Sequence, residues 1–237
     1  MKKIFKLLSL LLICVLSLSS ICCNDDDLPV DFTKLTYVAF GDSITYGVDG
    51  NVGKRMETPY PNLVANELKF SNVYNYAISG STITKINGRV NVNSQYKNAV
   101  DNADIVSVMI GINDYARSAI LGSIEDDDLT SVYGGLNVLV KGLKQKYPSA
   151  YIFFITPFDC CRQGIINNAN GVKLPELVTA IKTVCNLNSI PYLDLYTNGQ
   201  YSMANDPLSD GIHPTQQFFI NYTAPQIVEF IKNNYKK

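Results

Sequence analysis

Short apolar runs alternate along this chain with stretches whose apolar residues recur every three or four positions. Uninterrupted apolar runs of about this length are typical of strands covered on both faces of a sheet. Five strands are predicted in this way, at residues 36–40, 73–78, 104–110, 151–156 and 190–195.

The stretches between these runs have the apolar periodicity of amphipathic helices. Three such helices are predicted, at residues 60–68, 129–143 and 174–184. Asp128 suits the N-cap of the second one. A fourth helical pattern spans residues 215–233 and contains Pro225, which should kink or split it. Alternating strands and helices predict one α/β domain with a parallel sheet and helices on both faces.

Residues suited to catalysis follow four of the predicted strands. Ser43 follows the first strand, Gly80 the second and Asn113 the third, while Asp210 and His213 lie after the fifth. In open parallel sheets, ligands bind outside the carboxyl ends of the strands. We therefore expect these five residues to meet at one edge of the sheet.

Their side chains are the types that acyl transfer requires. A serine hydroxyl needs an adjacent base, and His213 is the only histidine in the chain. Asp210 would orient the imidazole, and the N–H groups of Ser43 and Gly80 with the Asn113 amide would stabilise an oxyanion. Each residue taken alone fits a loop or a turn, so only their joint placement favours catalysis. Asp42 is expected to make structural hydrogen bonds.

The same residues carry a resemblance to a known family. The segments Gly41-Asp42-Ser43, Gly80, Gly111-Ile112-Asn113-Asp114 and Asp210-Gly211-Ile212-His213 resemble, in order, the four motif blocks of the SGNH hydrolases, or GDSL esterases and lipases. The resemblance implies a flavodoxin-like three-layer sandwich with strand order 2-1-3-4-5. It implies Ser43 as the nucleophile, His213 as the base, Asp210 as its partner, and Gly80 and Asn113 in the oxyanion hole. Members usually need no metal or cofactor, and none is expected here.

Composition narrows the class further. The 237 residues are 46% hydrophobic and 17% charged, with a formal net charge of −1. This balance fits one globular domain and excludes a basic nucleic-acid footprint.

Outside the N-terminal segment, the cysteines are Cys160, Cys161 and Cys185. Either a disulfide from the 160/161 pair to Cys185 or buried free thiols would fit, and their spacing does not suit a metal site.

The N-terminus has the pattern of a secretory signal. Three lysines precede the apolar run of residues 7–23, and Cys22-Cys23 is followed by an acidic stretch. This resembles a bacterial lipoprotein signal, with Cys23, or else Cys22, as the lipidated residue. We expect a signal at 1–22, a tether at 23–34 and the hydrolase domain at 35–237. Plain secretion and a retained membrane helix are the alternatives, and all three place the domain outside the cytoplasm.

The sequence therefore predicts a membrane-anchored serine ester hydrolase. An acylated carbohydrate is the expected substrate, since a tethered enzyme outside the cell meets glycans and the chain has no long apolar lid segment. A lipid ester or another small ester is the alternative substrate. An acyltransferase acting on a sugar hydroxyl and a non-catalytic binding lipoprotein are alternative functions. The oligomeric state is left open.

Overall fold

Five parallel strands form the centre of the molecule in the order β2-β1-β3-β4-β5. The computed structural model describes residues 30–160, 168–202, 204–207 and 209–236. The strand order confirms the one that the family resemblance implied. The strands are β1 (Thr36–Gly41), β2 (Asn72–Asn75), β3 (Ile105–Met109), β4 (Tyr151–Ile155) and β5 (Tyr192–Leu193).

Burial of the strands follows their place in the sheet. The central strand β3 is buried at every position, which explains why Ser107 is its only polar residue. The edge strand β2 is only partly covered, although its hydrogen bonding to β1 continues as far as Ile78. The other edge strand, β5, is shorter than predicted. It stops before Asp194 because that side chain accepts a hydrogen bond from the Thr197 N–H and caps the next helix.

Helices cover both faces of the sheet. Tyr37 and Ala39 of β1 pack into one buried apolar cluster, and the alternate residues Val38 and Phe40 pack into a second. Helices α2 and α9 contribute to the first cluster, and α5 and α6 to the second. The helices are α1 (Ser43–Tyr46), α2 (Tyr60–Leu68), α3 (Val92–Gln95), α4 (Ile112–Ala116), α5 (Val132–Lys146), α6 (Leu174–Leu187), α7 (Leu195–Asn198), α8 (Gln216–Phe218) and α9 (Ala224–Asn234).

The start of α5 differs from the sequence prediction, whereas the start of α9 agrees with it. The N-cap of α5 is Ser131, whose hydroxyl accepts from the Gly134 N–H, so the prediction of Asp128 as the cap was wrong. Asp128 instead accepts hydrogen bonds from the backbone and hydroxyl of Thr130. Pro225 splits the last helical stretch as predicted: a π-helical turn at Phe219–Thr223 ends where α9 begins, and the proline occupies the first turn of α9.

The predicted signal and both candidate lipidation cysteines, Cys22 and Cys23, lie outside the described residues. The last residues of the predicted tether pack onto the domain, where Phe32 contacts the Phe70 ring at a centroid distance of 5.4 Å. Across the described ranges, every helix is too short or too polar to cross a bilayer.

The cysteines divide between the two faces of the sheet. Cys185 in α6 is a buried free thiol, and burial raises its pKa to about 12. Cys160 lies in the apolar cluster on the opposite face. Cys161 lies outside the described residues. For Cys185, the structure therefore corresponds to the buried-thiol alternative.

Candidate active site

Ser43 lies at the start of α1, immediately after β1. Asp42 caps this short helix by accepting a hydrogen bond from the Ile44 N–H at 3.0 Å, which is the structural role expected for it. Gly41 permits the tight turn, because a Cβ there would lie 2.3 Å from Thr45 Oγ1 and 2.4 Å from the Met109 carbonyl oxygen. The serine is thus fixed at the carboxyl edge of the central strands.

His213 connects Ser43 to Asp210, although 170 positions separate the serine from the histidine. Its Nε2 lies 2.9 Å from Ser43 Oγ, and its Nδ1 lies 2.8 Å from Asp210 Oδ2. The structure therefore brings the three predicted catalytic residues into one hydrogen-bonded chain. The distances fit the nucleophile, base and orienting carboxylate of a catalytic triad.

Asp210 is oriented by the backbone of its own turn. Its Oδ1 accepts hydrogen bonds from the N–H groups of Ile212 at 2.9 Å and His213 at 2.7 Å, which leaves Oδ2 facing the imidazole. Partial burial of the carboxyl raises its pKa, but the hydrogen bond with the His213 ring and those from the two backbone N–H groups outweigh that effect, so the net pKa is below its usual range. An ionised Asp210 accepts from Nδ1–H, so Nε2 is the nitrogen that can receive the serine proton.

Two buried carboxylates hold the segment that carries His213. Asp206 accepts from the Thr215 N–H at 2.8 Å, and Asp49 accepts from the Gln216 N–H at 2.9 Å. Gly50 lies directly against His213: its Cβ position would be only 1.9 Å from the His213 carbonyl oxygen. Sequence reasoning missed all three residues, because their partners are distant or belong to backbone contacts that no motif marks.

The loop that carries Gly80 is tied to the end of β1 by Gln95. The buried Gln95 side chain accepts from the Gly41 N–H at 3.1 Å and donates to both the Gly41 carbonyl and Ser81 Oγ at 2.8 Å. Gly80 has φ +81°, a left-handed conformation that favours glycine. Gln95 is another residue that the sequence did not single out.

Asn113 and Asp114 fix the same loop to α4. The Asn113 amide donates to the Ser81 carbonyl at 3.0 Å, and its second N–H has no acceptor among the described residues. Asp114 accepts from the Ile83 N–H at 2.8 Å and from the Thr84 N–H at 2.9 Å. The three predicted oxyanion donors thus belong to segments joined by hydrogen bonds at one edge of the sheet.

Two aspartates near the site have raised pKa values. Burial, reinforced by the charge of Asp114, raises the pKa of Asp42 to about 7, although its bond from Ile44 N–H opposes the shift. Burial raises the pKa of Asp114 to about 6 against the hydrogen bonds from Ile83 and Thr84. Neither carboxyl bonds to the imidazole, so Asp210 is the carboxylate that orients it. The described residues contain no cluster of side chains able to hold a metal ion.

A parallel sheet of order 2-1-3-4-5 with this serine, histidine and aspartate at its carboxyl edge defines an SGNH-type hydrolase fold. The model of the GDSL-like Lipase/Acylhydrolase family matches residues 39–218, and the chain belongs to that family. Membership supports, in general terms, a hydrolase that acts on ester bonds.

Solved structures from several bacteria have the same fold. A protein from Lactobacillus plantarum is 26% identical, with a TM-score of 0.74 over 85% of this chain and 99% of that one. The M. smegmatis aryl esterase is 18% identical, with a TM-score of 0.66 over 85% and 100%. A carbohydrate acetylesterase family member from Sinorhizobium meliloti is 15% identical, with a TM-score of 0.63 over 84% and 98%. Identities this low show the fold alone for the last two. A comparison with curated proteins finds no match.

Proposed function

We propose that this chain is a serine ester hydrolase with Ser43 as its nucleophile. The observation that carries the proposal is the continuous hydrogen-bonded chain from Ser43 Oγ through the His213 ring to Asp210, at 2.9 and 2.8 Å. A serine hydroxyl becomes a useful nucleophile when a positioned base can remove its proton. His213 is the only histidine available for this role.

In the first half of the reaction, Ser43 Oγ attacks the ester carbonyl while His213 Nε2 accepts the hydroxyl proton. Asp210 stabilises the imidazolium that forms. The N–H groups of Ser43 and Gly80 and the uncommitted N–H of Asn113 stabilise the oxyanion of the tetrahedral intermediate. The imidazolium then protonates the departing alkoxide, which leaves as the alcohol, and an acyl-serine remains.

In the second half, water attacks the acyl-serine while His213 accepts its proton. Collapse of the second tetrahedral intermediate releases the acid and returns the proton to Ser43. A sugar hydroxyl in place of water would give acyl transfer by the same steps. Product analysis with and without a sugar acceptor distinguishes the two reactions.

An acylated carbohydrate is the substrate class we favour. The side chains of Asp210 and His213 are 40% and 18% exposed, so the acyl group of a glycan ester can reach this end of the site from solvent, although Ser43 itself is buried. The Sinorhizobium meliloti acetylesterase family member shares the fold, which is a second, weaker support. A panel of acetylated oligosaccharides, lipid esters and acyl thioesters tests this choice. Faster turnover of the lipid esters would contradict it.

We also propose that the domain is anchored outside the cytoplasm by lipid on Cys23. The basic start, the apolar run and the Cys22-Cys23 pair support this. Metabolic labelling with a fatty-acid analogue should mark the full chain and be lost in Cys23→Ser but not in Cys22→Ser. The reverse pattern would assign the lipid to Cys22, and labelling of neither would remove the anchor.

Ser43→Ala tests the catalytic proposal directly. The variant should lose turnover of a short p-nitrophenyl ester and labelling by a fluorophosphonate probe, because both require the serine oxygen. Ser94→Ala is the matched control, since Ser94 is exposed and bonds only to the carbonyl of Asn91. Unchanged turnover in Ser43→Ala would contradict the mechanism. Absence of both turnover and labelling in the wild-type chain would favour a binding protein instead.

A further inference from the structure

Arg89 lies against the residue proposed to supply an oxyanion donor. A Cβ built on Gly80 would be 2.6 Å from Arg89 Nη1. Because a Cα–Cβ bond adds about 1.5 Å, that guanidinium nitrogen is within about 4.1 Å of the Gly80 Cα. The guanidinium therefore occupies the space that a side chain at position 80 would fill.

The backbone around Arg89 is firmly held. The Arg89 N–H donates to the Ile86 carbonyl at 3.1 Å, closing a turn. The residues that follow are tied to Thr82 by two hydrogen bonds. The Val90 carbonyl accepts from the Thr82 N–H at 3.0 Å, and the Val92 N–H donates to the Thr82 carbonyl at 2.8 Å. The start of the arginine side chain is thus fixed relative to the Gly80 loop.

The charge of Arg89 is not neutralised by the part of the chain that the structure describes. No carboxylate there pairs with it, and its guanidinium makes no hydrogen bond there. Arg55 is a useful contrast, since its guanidinium lies over the Tyr46 ring and bonds to the Tyr46 carbonyl. Arg89 is also exposed. A cation without a partner beside a reaction centre is available to an anionic group of the substrate.

Three acidic side chains at the site already accept hydrogen bonds from other groups. Asp210 accepts from the His213 ring and from two backbone N–H groups. Asp42 and Asp114 are buried and accept from Ile44 and from the Ile83–Thr84 backbone. None of the three is free to neutralise the guanidinium.

We propose that Arg89 binds a carboxylate of the ester substrate, so that the enzyme prefers acidic esters such as acylated acidic sugars. This rests on the proposed function and narrows its substrate class. A guanidinium offers a planar pair of N–H donors that matches a carboxylate, and charge-assisted hydrogen bonds are stronger than neutral ones. The guanidinium would bind a carboxylate in the same way whether it belongs to the alcohol part or to the acyl part of the ester.

Two matched pairs of substrates test the proposal. For the alcohol part, 4-acetoxybenzoate is compared with its neutral methyl ester. For the acyl part, the mono-p-nitrophenyl ester of adipic acid is compared with p-nitrophenyl hexanoate. The wild type should favour the acidic member of at least one pair, and the responsive pair identifies which part Arg89 contacts. Rising salt should weaken this preference, because the guanidinium is exposed.

Arg89→Gln should lower kcat/KM for the acidic ester by about tenfold, mainly through KM, and change the neutral ester by less than about twofold. Arg89→Lys should keep part of the preference, since it retains the charge but not the planar pair of donors. Lys97→Gln removes one positive charge from an exposed lysine and is the matched control, expected to behave as wild type.

Three results would overturn the proposal. These are equal kcat/KM for both members of both pairs in the wild type, an unchanged preference in Arg89→Gln, and an equal loss on acidic and neutral esters. The last result would make Arg89 part of the oxyanion machinery. If the neutral esters are hydrolysed, the proposed function stands whatever the outcome for Arg89. If no ester is hydrolysed, it is the proposed function that fails.

Discussion

Replacing Asp210 by asparagine should disable His213 by changing its tautomer rather than its position. Asp210 Oδ1 accepts from two backbone N–H groups, at 2.9 and 2.7 Å, so the asparagine oxygen must take that place. Turning the amide over would set its NH2 against both donors and lose two hydrogen bonds, about 1–3 kcal/mol. In the orientation that keeps both backbone hydrogen bonds, the asparagine NH2 takes the place of Oδ2, faces His213 Nδ1 and donates to it. Nε2 carries the proton instead and cannot accept one from Ser43.

The expected loss of activity is large because the base is removed while the geometry is kept. The same replacement in a Ser-His-Asp protease triad lowers kcat by about 10⁴. That factor corresponds to about 5.4 kcal/mol of activation free energy. We expect a similar fall in kcat for Asp210→Asn. Because both backbone hydrogen bonds are retained, the melting temperature should move by no more than about 2 °C.

The single histidine makes the tautomer directly measurable. Nitrogen-15 NMR of the imidazole contains the signals of one ring, so no assignment to a residue is needed, and only Nδ1 and Nε2 must be distinguished. In the neutral imidazole, the wild type should have its proton on Nδ1, and Asp210→Asn should have it on Nε2. Kinetics on a short p-nitrophenyl ester give kcat for both proteins. Asp101→Asn is the matched control, since Asp101 is 92% exposed and pairs only with Lys146.

Two outcomes would refute this reasoning. One is that Asp210→Asn keeps the proton on Nδ1. The backbone N–H groups would then not fix the orientation of the new side-chain amide. The other is a loss in kcat below about tenfold with the Nε2–H tautomer present, since His213 would then not be the base. Both results leave the fold untouched, so neither can be attributed to unfolding.

The remaining predictions concern the loops and buried carboxyls around the site. Gly50→Ala should lower kcat at least tenfold, because its Cβ would fall 1.9 Å from the His213 carbonyl oxygen. Val52→Ala is the control, since Val52 lies in the same loop and is 60% exposed, and equal kcat in both variants would contradict the packing argument. Burial raises the pKa of Asp42 to about 7, above its unfolded value of 3.8, so its stabilising effect is complete below about pH 4 and is lost as the pH rises through about 7. The melting temperature should therefore fall between about pH 4 and 7, less steeply in Asp42→Asn, and a rise over that interval would contradict the prediction.

Much of the fold follows from local sequence. The apolar runs of β1, β3 and β4 were located within a residue of their observed ends, because strands covered on both faces are mostly apolar. The ends of other elements were predicted less well. β5 ends early because Asp194 caps a helix, and α5 starts at Val132 because Ser131 rather than Asp128 supplies the cap. Several polar residues close together all have capping ability, and only the packed backbone selects among them.

The candidate site divides in the same way. Ser43, Asp210 and His213 were identified from residue type and their positions after predicted strands, and the structure places them in hydrogen-bonding contact. Gln95 and Arg89 were not identified. Gln95 bonds to the Gly41 backbone and to Ser81 Oγ, and Arg89 lies against the Cα of Gly80, so nothing in their own sequence neighbourhood marks them.

The sequence by itself determined where the strands β1, β3 and β4 lie, at which edge of the sheet the candidate residues are found and which single imidazole is available. Only the tertiary structure decided that Ser43 and His213 meet at 2.9 Å, that backbone N–H groups fix the orientation of Asp210 and that a guanidinium lies over Gly80. The physical reason is the separation along the chain over which each kind of interaction acts. Burial and periodicity act between neighbours along the chain, whereas hydrogen bonds and close contacts between residues far apart in sequence exist only once the chain has packed.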